Sequence, residues 1–191
     1  MDLQHRLAEK LALIFLDEKD DEKEKAIITY GIEVVLNELL KSILIIILGI
    51  VFGKLLVAII GIIYLLSIRR FLGGGHFDSN IICTVVTVFT AFIGPVLIMM
   101  IRIPLFIQMV VGVILILTII FMNVFSEGDT ISQDKKKKGR IISIIVFLVA
   151  GILAYIFGGL EYLSEIIFIE IIVVLFAVIE VSNSKKEMQS N

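Results

Sequence analysis

The stretch Arg69–Cys83, RRFLGGGHFDSNIIC, decides how the rest of the chain is read. It is a polar, glycine-rich island with long apolar runs on both sides. It carries the only cysteine, one of the two histidines and the only run of three glycines. Backbone that leaves helical structure between apolar runs must meet water or be sheltered by protein, because hydrocarbon cannot satisfy its N–H and C=O groups. The island therefore marks a break at a membrane surface or in a protein-lined chamber, and its flanks read as membrane spans.

Composition agrees. The chain is 59% hydrophobic over 191 residues, with a mean hydropathy of +1.06. Soluble domains are about 45–50% apolar. Several runs approach the roughly 20 apolar residues that a spanning helix needs, and they are too continuous for the alternating strands of a barrel. The expected fold class is all-α: a polytopic membrane helix bundle of six transmembrane helices plus an N-terminal amphipathic interfacial helix, forming a single integral membrane domain. Spans are expected at 27–52, 55–68, 81–101, 105–125, 141–157 and 162–181. Gly53 and Lys54 turn the chain after the first span, and Gly158 and Gly159 after the fifth. Pro95 is expected to kink the third span. The loop Ser126–Arg140 is Lys-rich, and a polar tail covers 182–191.

Leu3, Leu7, Leu11 and Ile14 recur at helical spacing near the N-terminus. This segment lies in the membrane interface or packs on the protein's own cytoplasmic side. A charged connector, Asp17–Lys25, completes residues 2–25. The apolar run Leu11–Leu16 is too short for a cleavable signal peptide. A single Cys excludes an intrachain disulfide. Basic residues at span flanks and aromatics inside spans give no nucleic-acid footprint. No metal or cofactor is expected.

Lys and Arg counts set the orientation. With the N-terminus in the cytoplasm, fourteen of them fall on the cytoplasmic side, and only Lys54 and Arg102 on the outer side. The N- and C-termini and the 69–80 loop are therefore expected on the cytoplasmic face of a multi-pass cell-membrane protein. The poly-Lys loop is placed to meet membrane lipid. The first span is not uniformly apolar: Glu33, Asn37 and Lys41 fall at i, i+4 and i+8 and line one face, with Glu38 beside them. Ionisable groups at membrane depth face a bundle interior or a water-filled cavity. The competing reading is an amphipathic extension projecting from the membrane.

His76 and Cys83 carry the candidate chemistry. A thiolate is the nucleophilic form of Cys, and a nearby His can take its proton. The competing reading is a small apolar Cys in helix packing and a His at headgroup level. On one straight helix, positions seven apart lie about 10.5 Å apart along the axis, too far for proton transfer over about 2.6–3.2 Å. A working dyad therefore needs a break, which Gly73, Gly74 and Gly75 supply. Asp78, Ser79 or Asn80 can cap the next helix, leaving Cys83 in or just after its first turn.

Arg69, Gly74, His76 and Cys83, set in a chain of this length, hydropathy and layout, resemble the accessory gene regulator protein B (AgrB-like) family. The resemblance implies a membrane cysteine endopeptidase, a thiol protease of quorum sensing and virulence regulation in Gram-positive bacteria. Its expected partner is an AgrD-like precursor peptide, cut at its C-terminal part. His76 would be the base and Cys83 the nucleophile of a thioester acyl-enzyme, which a precursor Cys or Ser attacks to close a thiolactone or lactone. Arg69, Gly74 and Asp78 would support the site, and Arg69 would be structural or bind a precursor carboxylate. Glu33, Asn37 and Lys41 are expected to border the substrate chamber, with Lys41 meeting a precursor carboxylate or pairing with Glu38 or Glu33. A homodimer is admitted as an assembly state. Two rivals stand beside this reading. One is a small peptide transporter or exporter without peptidase activity, though no paired inverted repeat supports it. The other is a membrane scaffold binding anionic lipid through Lys135–Lys138.

Overall fold

The computed structural model describes residues 8, 10–12, 22–72, 80–121 and 133–190. Among them every regular element is helical. Helix α1 is Glu22–Val51, α2 is Leu55–Leu72, α3 is Asn80–Met99 and α4 is Leu105–Phe121. The last helical stretch, Gln133–Ser190, is broken at Gly159 into α5 (133–158) and α6 (160–190).

Glycine stands at both sharp reversals. Gly53 has φ 63° between α1 and α2, and Gly159 has φ 70° and ψ −155° between α5 and α6. Side chains with a β-carbon rarely adopt such positive φ values. After Gly159 the chain folds back: a β-carbon on Gly151 would lie 3.4 Å from Leu163 Cδ1, so α6 runs along α5 rather than continuing it.

The expected kink at Pro95 takes a specific form. Residues Phe89–Ile93 make a π-helical turn immediately before Gly94 and Pro95, with the Gly94 N–H bonded to the Phe89 carbonyl. Proline offers no N–H to the carbonyl four residues back, which here is Ala91, and a widened turn is a common way to absorb such a defect. Helix α2 comes closest to α3 at that place. A β-carbon on Gly61 would fall onto the Ala91 carbonyl, so only glycine admits this approach.

Several boundaries differ from the sequence reading. Arg69 and Arg70 belong to the last turn of α2 rather than following it, where cations complement the helix dipole. The last helix runs on into the residues read as a polar tail, and α5 covers part of the Lys-rich loop. Near the N-terminus Ala8 and Ala12, one turn apart, are buried, while Leu11 is exposed. The small residues there pack inward, and the leucine stripe is not wholly the buried face.

Polarity is arranged as a bilayer solvent requires. Phe121 and Phe157 are 84% exposed, and Ile81 and Phe106 are 77% exposed. The fully buried set includes Lys41, Thr87, Gln108, Glu165 and Glu170. Apolar groups outside and polar groups inside suit a membrane protein, because lipid accepts the first and the second need protein partners. The core runs through α2, whose Ala58, Leu65 and Ile68 pack with Phe92 of α3 and with Ile166, Ile169 and Val173 of α6.

Candidate functional site

The site forms where α1 and α2 meet the start of α3. Cys83 is the fourth described residue of α3. Cys83 is buried and free. Thr87 follows four residues later on the same face and is also buried.

A cation reaches each of these positions from a different helix. From α1, the Lys41 Nζ donates to Cys83 Sγ at 3.3 Å. The same ammonium donates to Glu38 Oε1 at 2.8 Å. From α2, Arg69 Nη1 donates to Thr87 Oγ1 at 3.4 Å. Lys41 is only 2% exposed, whereas the Glu38 side chain keeps 24% of its surface. Burying an ammonium costs several kcal/mol unless it is paired and hydrogen-bonded. Glu38, one turn back, offsets part of that cost, and the sulfur takes another N–H.

Glu33 and Asn37 are half-buried on the same side of α1, two turns and one turn before Lys41. The polar stripe is therefore graded: it begins partly open and ends fully enclosed at Cys83. Cys83, Arg69 and Lys41 are brought together at this end of the bundle. Gly74, His76 and Asp78 lie outside the described residues.

A second polar group lies in the span region, and the sequence reading passes over it. Tyr64 of α2 donates its hydroxyl to Glu170 Oε2 of α6. Glu170 Oε1 and both carboxyl oxygens of Glu165 are buried without a partner among the described residues. Two carboxyls inside an apolar run were a visible signal. Gln108 of α4 ties that helix to the turn by donating to the carbonyls of Ile103 and Leu160 at 2.9 and 3.2 Å. Thr87 gave no signal, since a threonine in a span is ordinary and only the fold shows which one an arginine reaches.

A family model described as accessory gene regulator B matches residues 5–181 of this chain. A curated relative, "Putative AgrB-like protein 2" of Clostridium perfringens (strain 13 / Type A), is 29% identical over 154 residues, covering 73% of this chain and 72% of that protein. No solved structure matches. The match extends from before α1 to residue 181 within α6 and includes the buried Cys83 and both cations that meet α3, so the chain belongs to the accessory gene regulator B family.

Proposed function

We propose that, within the quorum-sensing peptide processing of its family, this chain is a membrane cysteine endopeptidase. It cleaves the C-terminal part of an AgrD-like precursor and supports closure of the remaining part into a thiolactone or lactone. The observation that carries the reading is the position of the only thiol of the chain. Cys83 is buried in α3, where its sulfur accepts from the Lys41 ammonium at 3.3 Å, and the stretch containing His76 immediately precedes it in sequence.

The chemistry balances as follows. His76 takes the Cys83 thiol proton. The sulfur then attacks the scissile carbonyl carbon, forming the C–S bond and moving the carbonyl π electrons onto oxygen. Collapse of that adduct breaks the C–N bond, and the leaving amine takes the proton from His76. A precursor thiol or hydroxyl next gives its proton to His76 and attacks the thioester. Its own bond to the carbonyl closes the ring, and Cys83 leaves with its electron pair to be reprotonated. Exchange of one thioester for another is nearly neutral in energy, so withdrawal of the C-terminal fragment or the ring draws the sequence forward. Arg69, anchored on Thr87, keeps the end of α2 beside the site, and Gly74 and Asp78 support it. Glu33 and Asn37 border the precursor chamber. The catalytic loop and both termini face the cytoplasm of a Gram-positive cell.

The test is co-expression with the precursor and mass measurement of the peptide. Cys83→Ala and His76→Ala are each expected to abolish cleavage while the protein still inserts. Cys83→Ser is expected to be severely impaired, because an alcohol is far less ionised than a thiol at neutral pH. Cleavage at the wild-type rate in the alanine variants refutes the reading. Export of uncleaved peptide by Cys83→Ala favours the transporter instead.

A further inference from the structure

The contact between Lys41 and Cys83 asks more of the chain than a helix salt bridge does. A Lys–Glu pair three residues apart forms readily at a surface, with the ammonium left in water. Lys41 instead turns inward to 2% exposure and reaches a sulfur 42 residues away on another helix. A neutral thiol is a weak acceptor and returns little for burying a charge. A thiolate returns much more, because the hydrogen bond becomes charge-assisted on both sides. Glu38 holds the Nζ by a separate hydrogen bond at 2.8 Å, which leaves the other N–H groups free to face the sulfur.

We propose that Lys41 is a third catalytic group of this site: its ammonium, tethered by Glu38, holds the negative charge on Cys83 Sγ whenever that sulfur is an anion. The proposal rests on the cysteine-peptidase reading and deepens it. The sulfur is anionic twice in each turnover. It carries the charge after His76 takes the thiol proton and before the C–S bond forms. It carries it again when the precursor nucleophile displaces it, as the C–S electron pair returns to sulfur. In the acyl-enzyme between these moments the sulfur is neutral, and Lys41 keeps only its bond to Glu38. A stabilised leaving thiolate departs faster, so the same ammonium serves ring closure as well as attack. Glu38 is a positioning residue and meets neither peptide nor sulfur.

The lone cysteine makes the test direct, since thiol alkylation of the protein by iodoacetamide, read by peptide mass, is alkylation of Cys83. In the full-length protein in detergent micelles, Lys41→Met is expected to slow alkylation at pH 7 by about ten- to a hundredfold. Lys41→Arg, which keeps the charge, is expected to retain most of the rate, and Glu38→Gln to fall between. With the precursor, Lys41→Met is expected to lower kcat with KM unchanged. Two results overturn the proposal: an unchanged alkylation rate in Lys41→Met, or, in Lys41→Glu, a raised KM that a charge-reversed precursor restores, which would make Lys41 a substrate-carboxylate contact. If Lys41→Met fails to accumulate, Glu38→Gln decides, because an unchanged alkylation rate there removes the tether and the proposal with it. The underlying reading fails separately, through cleavage of the precursor by Cys83→Ala.

Discussion

Tyr64→Phe isolates one buried hydrogen bond and leaves the packing of α2 untouched. The ring stays in the core and only the hydroxyl that donates to Glu170 Oε2 is lost. Glu170 is fully buried, and its other oxygen already has no partner among the described residues. The substitution therefore leaves the whole carboxyl unpaired. In a water-soluble protein this would cost about 1–3 kcal/mol. In a bilayer the less folded state also keeps its helices in lipid, where polar groups find substitute partners, and measured side-chain bonds average about 0.6 with a maximum near 1.7 kcal/mol. The orphaned carboxyl favours the upper end, so the expected loss is about 1–2 kcal/mol, roughly a 5- to 30-fold change in the folded/unfolded ratio. The assay is SDS-induced unfolding in mixed micelles, followed by far-UV circular dichroism. Tyr64→Phe is expected to unfold at lower SDS than wild type. The double variant Tyr64→Phe/Glu170→Leu is expected to recover the loss, because removing both polar partners leaves nothing unsatisfied. Strictly additive effects of Tyr64→Phe and Glu170→Leu would refute the reasoning, since they would mean that the two groups are not coupled.

Two further perturbations probe the fold that carries the site. Gly61→Val drives a side chain onto the Ala91 carbonyl and should cost about 1–3 kcal/mol by overpacking; Gly31→Val, with nothing within 4 Å of its new β-carbon, should leave the yield of monodisperse protein near wild type in size-exclusion chromatography. Sidedness is checked by Gln133→Cys and Ser184→Cys, one at a time in a Cys83→Ser background, which should react only with a membrane-permeant thiol reagent, whereas Arg102→Cys should react with an impermeant one from outside. Impermeant labelling at position 133 would invert the topology.

Much of this architecture is legible residue by residue because the bilayer restricts the choices. An apolar run between membrane surfaces has to be helical, so the described apolar runs are helices, and the reversals at Gly53 and Gly159 occur where glycine makes them cheap. Pro95 announced a defect in α3, though only the fold shows it as a π turn with Gly61 packed against the freed carbonyl. Helix ends were harder, because polar residues such as Arg69, Arg70 and those beyond 181 are good helix formers once outside hydrocarbon. The site divides along the same line. The i, i+4, i+8 stripe places Glu33, Asn37 and Lys41 on one face, and the i−3 spacing anticipates Glu38 as a partner for Lys41. Both are local facts, fixed by 3.6 residues per turn. The contact with Cys83 is not local. It depends on how far α1 slides along α3 and how α1 is rotated, and those are set by packing through residues such as Ile45 and Phe92. Yet the sequence did pose the question that this contact answers. Glu38 is partly exposed and neutralises only part of the cost of burying an ammonium, so a lysine at that depth calls for a second acceptor from another helix. A chain with one thiol, placed on a helix that packs beside α1, offers that acceptor at Cys83.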